Sequence, residues 1–185
     1  MMKSILLFFI GFIFYHNADS QITKGNWMIG GAASFRSSDY ERVPGFLSKQ
    51  TLIQLSGEVG YFIIDKLALG LKPGYDRTDT YNPHNIVNTY SLGPFARYYF
   101  LPIDKYVNIF SELSYQHGIQ KTNQTSFGNN SNNFSGVGGL AVFFNSSVAL
   151  EFTLGYSVYL YNYNSGRVKS VIAGIGFHFH LEKDK

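Results

Sequence analysis

Val148–Tyr161 reads VALEFTLGYSVYLY, and its side chains alternate without a break. Val148, Leu150, Phe152, Leu154, Tyr156, Val158 and Leu160 are apolar. Between them Ala149, Glu151, Thr153, Gly155, Ser157 and Tyr159 are small, polar or charged. Successive side chains of a strand point to opposite faces, so this is one strand with a greasy face and a mixed polar face. A strand in a soluble domain averages roughly five to six residues, whereas about 9–11 tilted residues cross a bilayer. A strand this long belongs in a membrane β-barrel.

The rest of the composition agrees. The chain has 185 residues, which suits one domain, and its net charge of +3 is too mild to imply nucleic acid. Aromatic residues make up 17% of it, mostly Tyr and Phe, and cysteine is absent. The lack of cysteine excludes disulfides, thiol chemistry, cysteine-ligated zinc and a lipid-anchored N-terminal cysteine. Residues 1–20 read as a secretory signal peptide: Lys3 gives the positive start, 5–15 the apolar core, and Ala18-Asp19-Ser20 a cleavage site before Gln21. That core is too short to span a membrane, which takes about 20 residues. Residues 21–185 then form the barrel domain. They hold no other apolar run of helix length, so the chain can enter lipid only as a closed sheet.

Alternation recurs along the chain. Strands are expected over 26–36, 50–62, 67–78, 87–101, 106–120, 134–144, 148–161 and 167–181. Short turns fall at 63–66, 102–105 and 145–147. Polar loops fall at 37–49, 79–86, 121–133 and 162–166. The fold class is all-β, an eight-stranded antiparallel up-and-down transmembrane barrel. Its short turns lie on one side and its longer loops on the other, as in outer membranes. An even strand number puts both termini on the periplasmic side, where a cleaved leader requires the N-terminus to be.

A soluble barrel would turn the greasy face inward around a ligand. Here that face lacks charge through mid-strand, while the other carries Glu58, Lys72, Asp76, Arg97, Glu112 and Glu151. Aromatics cluster near strand ends, at Tyr61-Phe62, Tyr98-Tyr99-Phe100 and Phe177 to Phe179, as interfacial girdles do. The greasy face therefore meets outer-membrane lipid. Counted from the short-turn end, Glu58, Lys72, Arg97, Glu112 and Glu151 fall in one band. At about 3.3 Å per residue and a tilt near 40° that band is roughly 8 Å deep. Three carboxylates around Arg97, with Lys72 beside them, are expected to neutralise one another and fill the lumen.

At Gly93-Pro94-Phe95-Ala96-Arg97-Tyr98-Tyr99-Phe100 and in its last strand, the chain resembles the small eight-stranded outer-membrane barrels. The nearest type is OmpX/OmpA-like, of the Bacteroidetes outer membrane protein beta-barrel domain families. The resemblance implies that Gly174, Phe177 and Phe179, near the end of the last strand, form the signal read by the barrel-assembly machinery. The chain departs from that type by running on through His180 and Leu181 to Lys185. Such barrels serve as structural elements, adhesins, narrow pores or lipid-modifying enzymes.

Evidence for catalysis is thin. His178 and His180 share a face but lack a third ligand, so two hydrogen-bonded lumen histidines are expected rather than a metal site. Deacylase-type barrels use a His-x-Ser strand motif, and His117-Gly118-Ile119 has no serine there. Gly136-Val137-Gly138-Gly139 lies in a strand and opens no helix, so it cradles no phosphate. The expectation is a barrel without cofactor or metal, non-enzymatic, acting in envelope structure or through partners at 37–49, 79–86, 121–133 and 162–166. A narrow pore is the alternative, and a lipid-modifying enzyme a further one.

Overall fold

The computed structural model describes residues 22–43, 46–81, 84–123, 129–161 and 167–181. They form β1 (Trp27–Val43), β2 (Phe46–Ile64), β3 (Leu67–Tyr81), β4 (Asn85–Tyr99), β5 (Val107–Thr122), β6 (Asn129–Phe143), β7 (Val148–Tyr161) and β8 (Arg167–Leu181). Each strand pairs antiparallel with the next, and β1 meets β8, closing the barrel. The eight-stranded up-and-down barrel implied by the alternation is the fold.

The register fixes its width. Following partners from Trp27 through Tyr61, Leu69, Ala96, Leu113, Gly136, Tyr156 and Val171 leads back toward β1 at Ser37, ten residues above the start. Eight strands with this stagger enclose a bore just wide enough for side chains.

β7 and β8 begin and end where the alternation places them and β3 begins at Leu67 as expected, but the other boundaries move. The loops expected at 37–49, 79–86 and 121–133 are largely strand. β1 and β2 stay paired through Ser38↔Gln50, Asp39↔Lys49 and Glu41↔Leu47, and β6 already begins at Asn129. Apolar alternation marks a strand only where one face meets lipid. Beyond that band both faces meet water and the period vanishes, although backbone pairing continues. An apolar band about 25 Å tall takes up only part of a strand as long as β2, so the β1–β2 hairpin projects beyond it. The 162–166 loop lies outside the described residues, as does the leader.

The short-turn end is capped by the segment just before β1. Lys66 takes the left-handed conformation in the β2–β3 turn (φ 70°), and its N–H donates to the Ile22 carbonyl at 2.8 Å. The Asp65 carboxylate accepts the Lys24 N–H at 2.8 Å, and Gly25 N–H donates to the Phe62 carbonyl. These bonds tuck Ile22 into the bore, where it is buried.

Burial alternates with the pleat. In β5, Phe110 is 1% exposed and Leu113 69% exposed. Outward side chains are apolar, and the bore holds both an apolar layer and a charged one. That is inside-out relative to a soluble barrel, and lipid is the solvent that suits it. The girdle reading needs one correction. Tyr61, Tyr98, Phe100, Phe177 and Phe179 do face outward, but Phe62 and Tyr99 are fully buried in the bore. Their alternate parity sends them inward to join Ile22, Met28, Phe110 and Phe143 in an apolar stopper at the short-turn end.

Candidate functional site

Above the stopper lies a layer of charge. Glu58 comes from β2, Lys72 from β3, Arg97 from β4, Glu112 from β5, Glu151 from β7 and His178 from β8. Each sits on the inward parity of its strand. Arg97 is at the centre. Its Nε donates to Glu112 Oε2 at 2.8 Å, Nη2 to Glu58 Oε2 at 2.7 Å, and Nη1 to Glu151 Oε1 and Oε2 at 2.8 and 2.9 Å. Lys72 Nζ bridges Glu58 Oε1 and Glu112 Oε1. All five residues singled out by depth in the sequence thus meet in one network.

A sixth member was not counted with them. His178 Nε2 lies 2.8 Å from Glu58 Oε2, and Nδ1 lies 3.0 Å from Glu151 Oε2 at an angle too poor for a good hydrogen bond. When protonated, His178 supplies the third cation opposite three carboxylates. Its inward parity, shared with Gly174 and Gly176, is legible in the sequence, but read as a neutral ring it carries no charge that would group it with the five. Asp76, also on the polar face, stays outside the network and accepts a hydrogen bond from Gln54 at 3.1 Å.

The network fits because the opposing strand gives way. A Cβ on Gly30 would sit 2.0 Å from His178 Cδ2, so only glycine leaves room for that ring. Likewise a Cβ on Gly139 would lie 2.5 Å from Phe110 Cζ, and the Phe110 ring underlies Arg97 Cζ at 4.3 Å. The aromatic face adds cation–π attraction to a guanidinium already held by three carboxylates.

His180 departs from expectation. It is buried, but neither ring nitrogen has a hydrogen-bond partner. Phe62 and Phe143 pack against it at tilted angles, with centroids at 5.9 and 5.3 Å, so it serves the apolar stopper as a ring. His117 faces outward and bonds Asn132 Oδ1 through Nδ1 at 2.9 Å. Gly174 lies on the inner parity of β8, while Phe177 and Phe179 point out.

Beyond the charged layer the lumen opens into a cavity of about 860 Å³ lined by Gln54, Ser56, Lys72, Asp76, Gln116, Ser135 and Ser157 among others. Ser114 and Ser135 bridge its wall at 2.6 Å, and Gln116 Nε2 donates to the Lys72 carbonyl at 3.2 Å. The bore is therefore stratified into apolar stopper, ionic layer and polar outer half. Such carboxylates are engaged with cations rather than poised over a substrate.

Several solved barrels share this architecture. Neisserial surface protein A superposes with a TM-score of 0.56 at 18% identity, covering 84% of this chain and 97% of that one. OprG of Pseudomonas aeruginosa gives 0.55 at 15% identity, over 89% of this chain and all of that one. The N-terminal barrel domain of Pseudomonas aeruginosa OprF gives 0.51 at 15%, over 85% and 98%. Identities this low speak for the fold alone. No curated protein matches the sequence. The profile of the outer membrane protein beta-barrel domain matches residues 4–179, nearly the whole chain. The chain is therefore a member of the outer membrane protein beta-barrel domain family, and its place is the bacterial outer membrane.

Proposed function

We propose that this is a plugged, non-enzymatic barrel that serves envelope structure or surface interaction through its far-end hairpins, with no continuous water path through its bore. The observation that carries this reading is the buried network around Arg97, stacked on an apolar stopper that Ile22 completes. A hydrated ion would have to separate paired charges in a bore without room for both. In this reading residues 1–20 are a cleaved leader, both ends of the barrel face the periplasm, and the assembly machinery reads the end of β8 around Phe177 and Phe179. Partners would then meet the segments around 37–49, 79–86, 121–133 and 162–166. Planar-bilayer recording of the pure protein tests the seal. Only rare, irreproducible openings are expected, and stable unitary channels would establish the narrow-pore alternative. Lipid A from cells with and without expression should give the same mass spectrum. A deacylated or acylated species would make the barrel an enzyme.

A further inference from the structure

One seam of the barrel differs from the other seven. β1 and β8 pair only from Trp27↔Leu181 to Gly31↔Phe177, five residue pairs at the short-turn end. Above them both strands continue, β1 bonded to β2 and β8 bonded to β7, but not to each other. Burial reports the same break. In a closed wall one parity is hidden, yet every residue from Ala32 to Ser37 and from Val171 to Ile175 is exposed. The inner side of the slot is lined by Ala32, Ser34, Gly174 and the larger Ile172, and the polar outer cavity reaches both of its edges. On the outer side Phe35 and Val171, 70% and 74% exposed, face the lipid.

We infer that this seam is a lateral portal that holds a single-chain amphiphile of the fatty-acid class. Its polar head lies in the outer half of the lumen among Ser34, Gln54 and Ser56, and its alkyl chain passes through the slot into the bilayer. Two observations favour this occupant over a pairing strand. A strand laid on either edge would leave the cavity behind it empty. The cavity behind the slot is polar, with Gln54, Ser56, Asp76 and Gln116, while its outer rim at Phe35 and Val171 is apolar, the order of an amphiphile. The seam can also close: the existing register, continued upward, sets Ser34 against Gly174 and Asp39 against Lys169, opposite charges face to face, so the two edges can zip together without slipping. Unpaired strand edges are unfavourable in hydrocarbon and an alkyl chain cannot bond them, so the zipped form is the resting state of the seam, and in the occupied form the edges turn to the polar cavity and the amphiphile's head. The inference depends on the sealed floor only for the direction of exit, toward the membrane. Channel recordings that broke the seal would leave the seam untouched.

The test uses the full mature protein in phosphatidylcholine vesicles and palmitic acid carrying a diazirine near its carboxyl end. The chain has no cysteine, so Phe35→Cys with Ala173→Cys, opposite in the continued register, introduces the only two thiols. Heat-dependent gel mobility checks folding. Photolysis of the reduced variant should place adducts on the inward residues Ser34, Gln54 and Ser56, and oxidation to the disulfide should abolish them. If the disulfide does not form, Gly174→Trp fills the slot instead and should cause the same loss. Adducts confined to outward residues in both forms would mean ordinary lipid contact and overturn the portal. Inward adducts that survive closure would mean entry by the mouth. Disulfide-linked dimers on oxidation would assign the edges to a second copy of the chain. Either result overturns the proposal.

Discussion

Arg97 and Glu112 are cross-strand partners in the β4–β5 ladder, and the same pair is joined within the ionic layer, Nη2 to Oε2 at 2.6 Å and Nε to Oε2 at 2.8 Å. The register that builds the wall therefore also builds the plug. Both side chains are 2% exposed, so neither can turn to water when its partner is lost. Arg97→Met should destabilise the barrel by about 3–5 kcal/mol, the usual cost of leaving buried carboxylates unpaired. Urea unfolding in micelles, followed by the single Trp27, measures it. An unchanged midpoint would show that the layer does not hold the barrel together.

The two histidines of β8 should respond in opposite ways. His180→Phe keeps a ring in the stopper and removes two nitrogens that have no partner, so stability should hold or rise. His178→Phe strips a contact from Glu58 and Glu151 and should cost about 1–3 kcal/mol. Thermal melts of the two variants side by side read the difference. Equal losses would contradict the division between stopper and ionic layer.

Glycine positions offer a size test. Gly30→Ala drives a methyl into the His178 ring and Gly139→Ala drives one into Phe110, each expected to cost about 1–3 kcal/mol by overpacking. Gly138→Ala, on the outward face with its nearest neighbour 4.0 Å away, should be tolerated. The yield of heat-shifted folded protein ranks the three. A ranking with Gly138 worst would mean the inner and outer faces have been exchanged.

How far the sequence reached follows from where lipid imposes its period. β7 lies at the expected limits because apolar outward residues run to both its ends; in β8 they run only from Val171 to Leu181, and its start at Arg167 is marked instead by the polar loop before it. The tips of β1, β2 and β6 are invisible to the same reading: Ser38, Asp39, Lys49 and Asn130 pair in the ladder but present water-compatible groups on both faces. Depth counting grouped Glu58, Lys72, Arg97, Glu112 and Glu151 because charges in a narrow bore must find one another. It passed over His178, since an uncharged reading of histidine gives it no reason to join. It also passed over the apolar stopper, because Phe62 and Tyr99 beside Tyr61 and Tyr98 look like girdle residues until the pleat assigns each a side. The short β1–β8 ladder left no mark at all, as pairing extent between chain ends is not written in either strand alone.

The central claim, oily side chains against lipid and charge enclosed, is tested most directly by a single-cysteine scan of β5 labelled with an environment-sensitive fluorophore in vesicles containing brominated lipid. Ile109 and Leu113 should be quenched strongly, Asn108 and Ser114 weakly, giving a signal that alternates at every step. Strong quenching at Asn108 and Ser114 with protection of Ile109 and Leu113 would turn the barrel inside out and contradict the account.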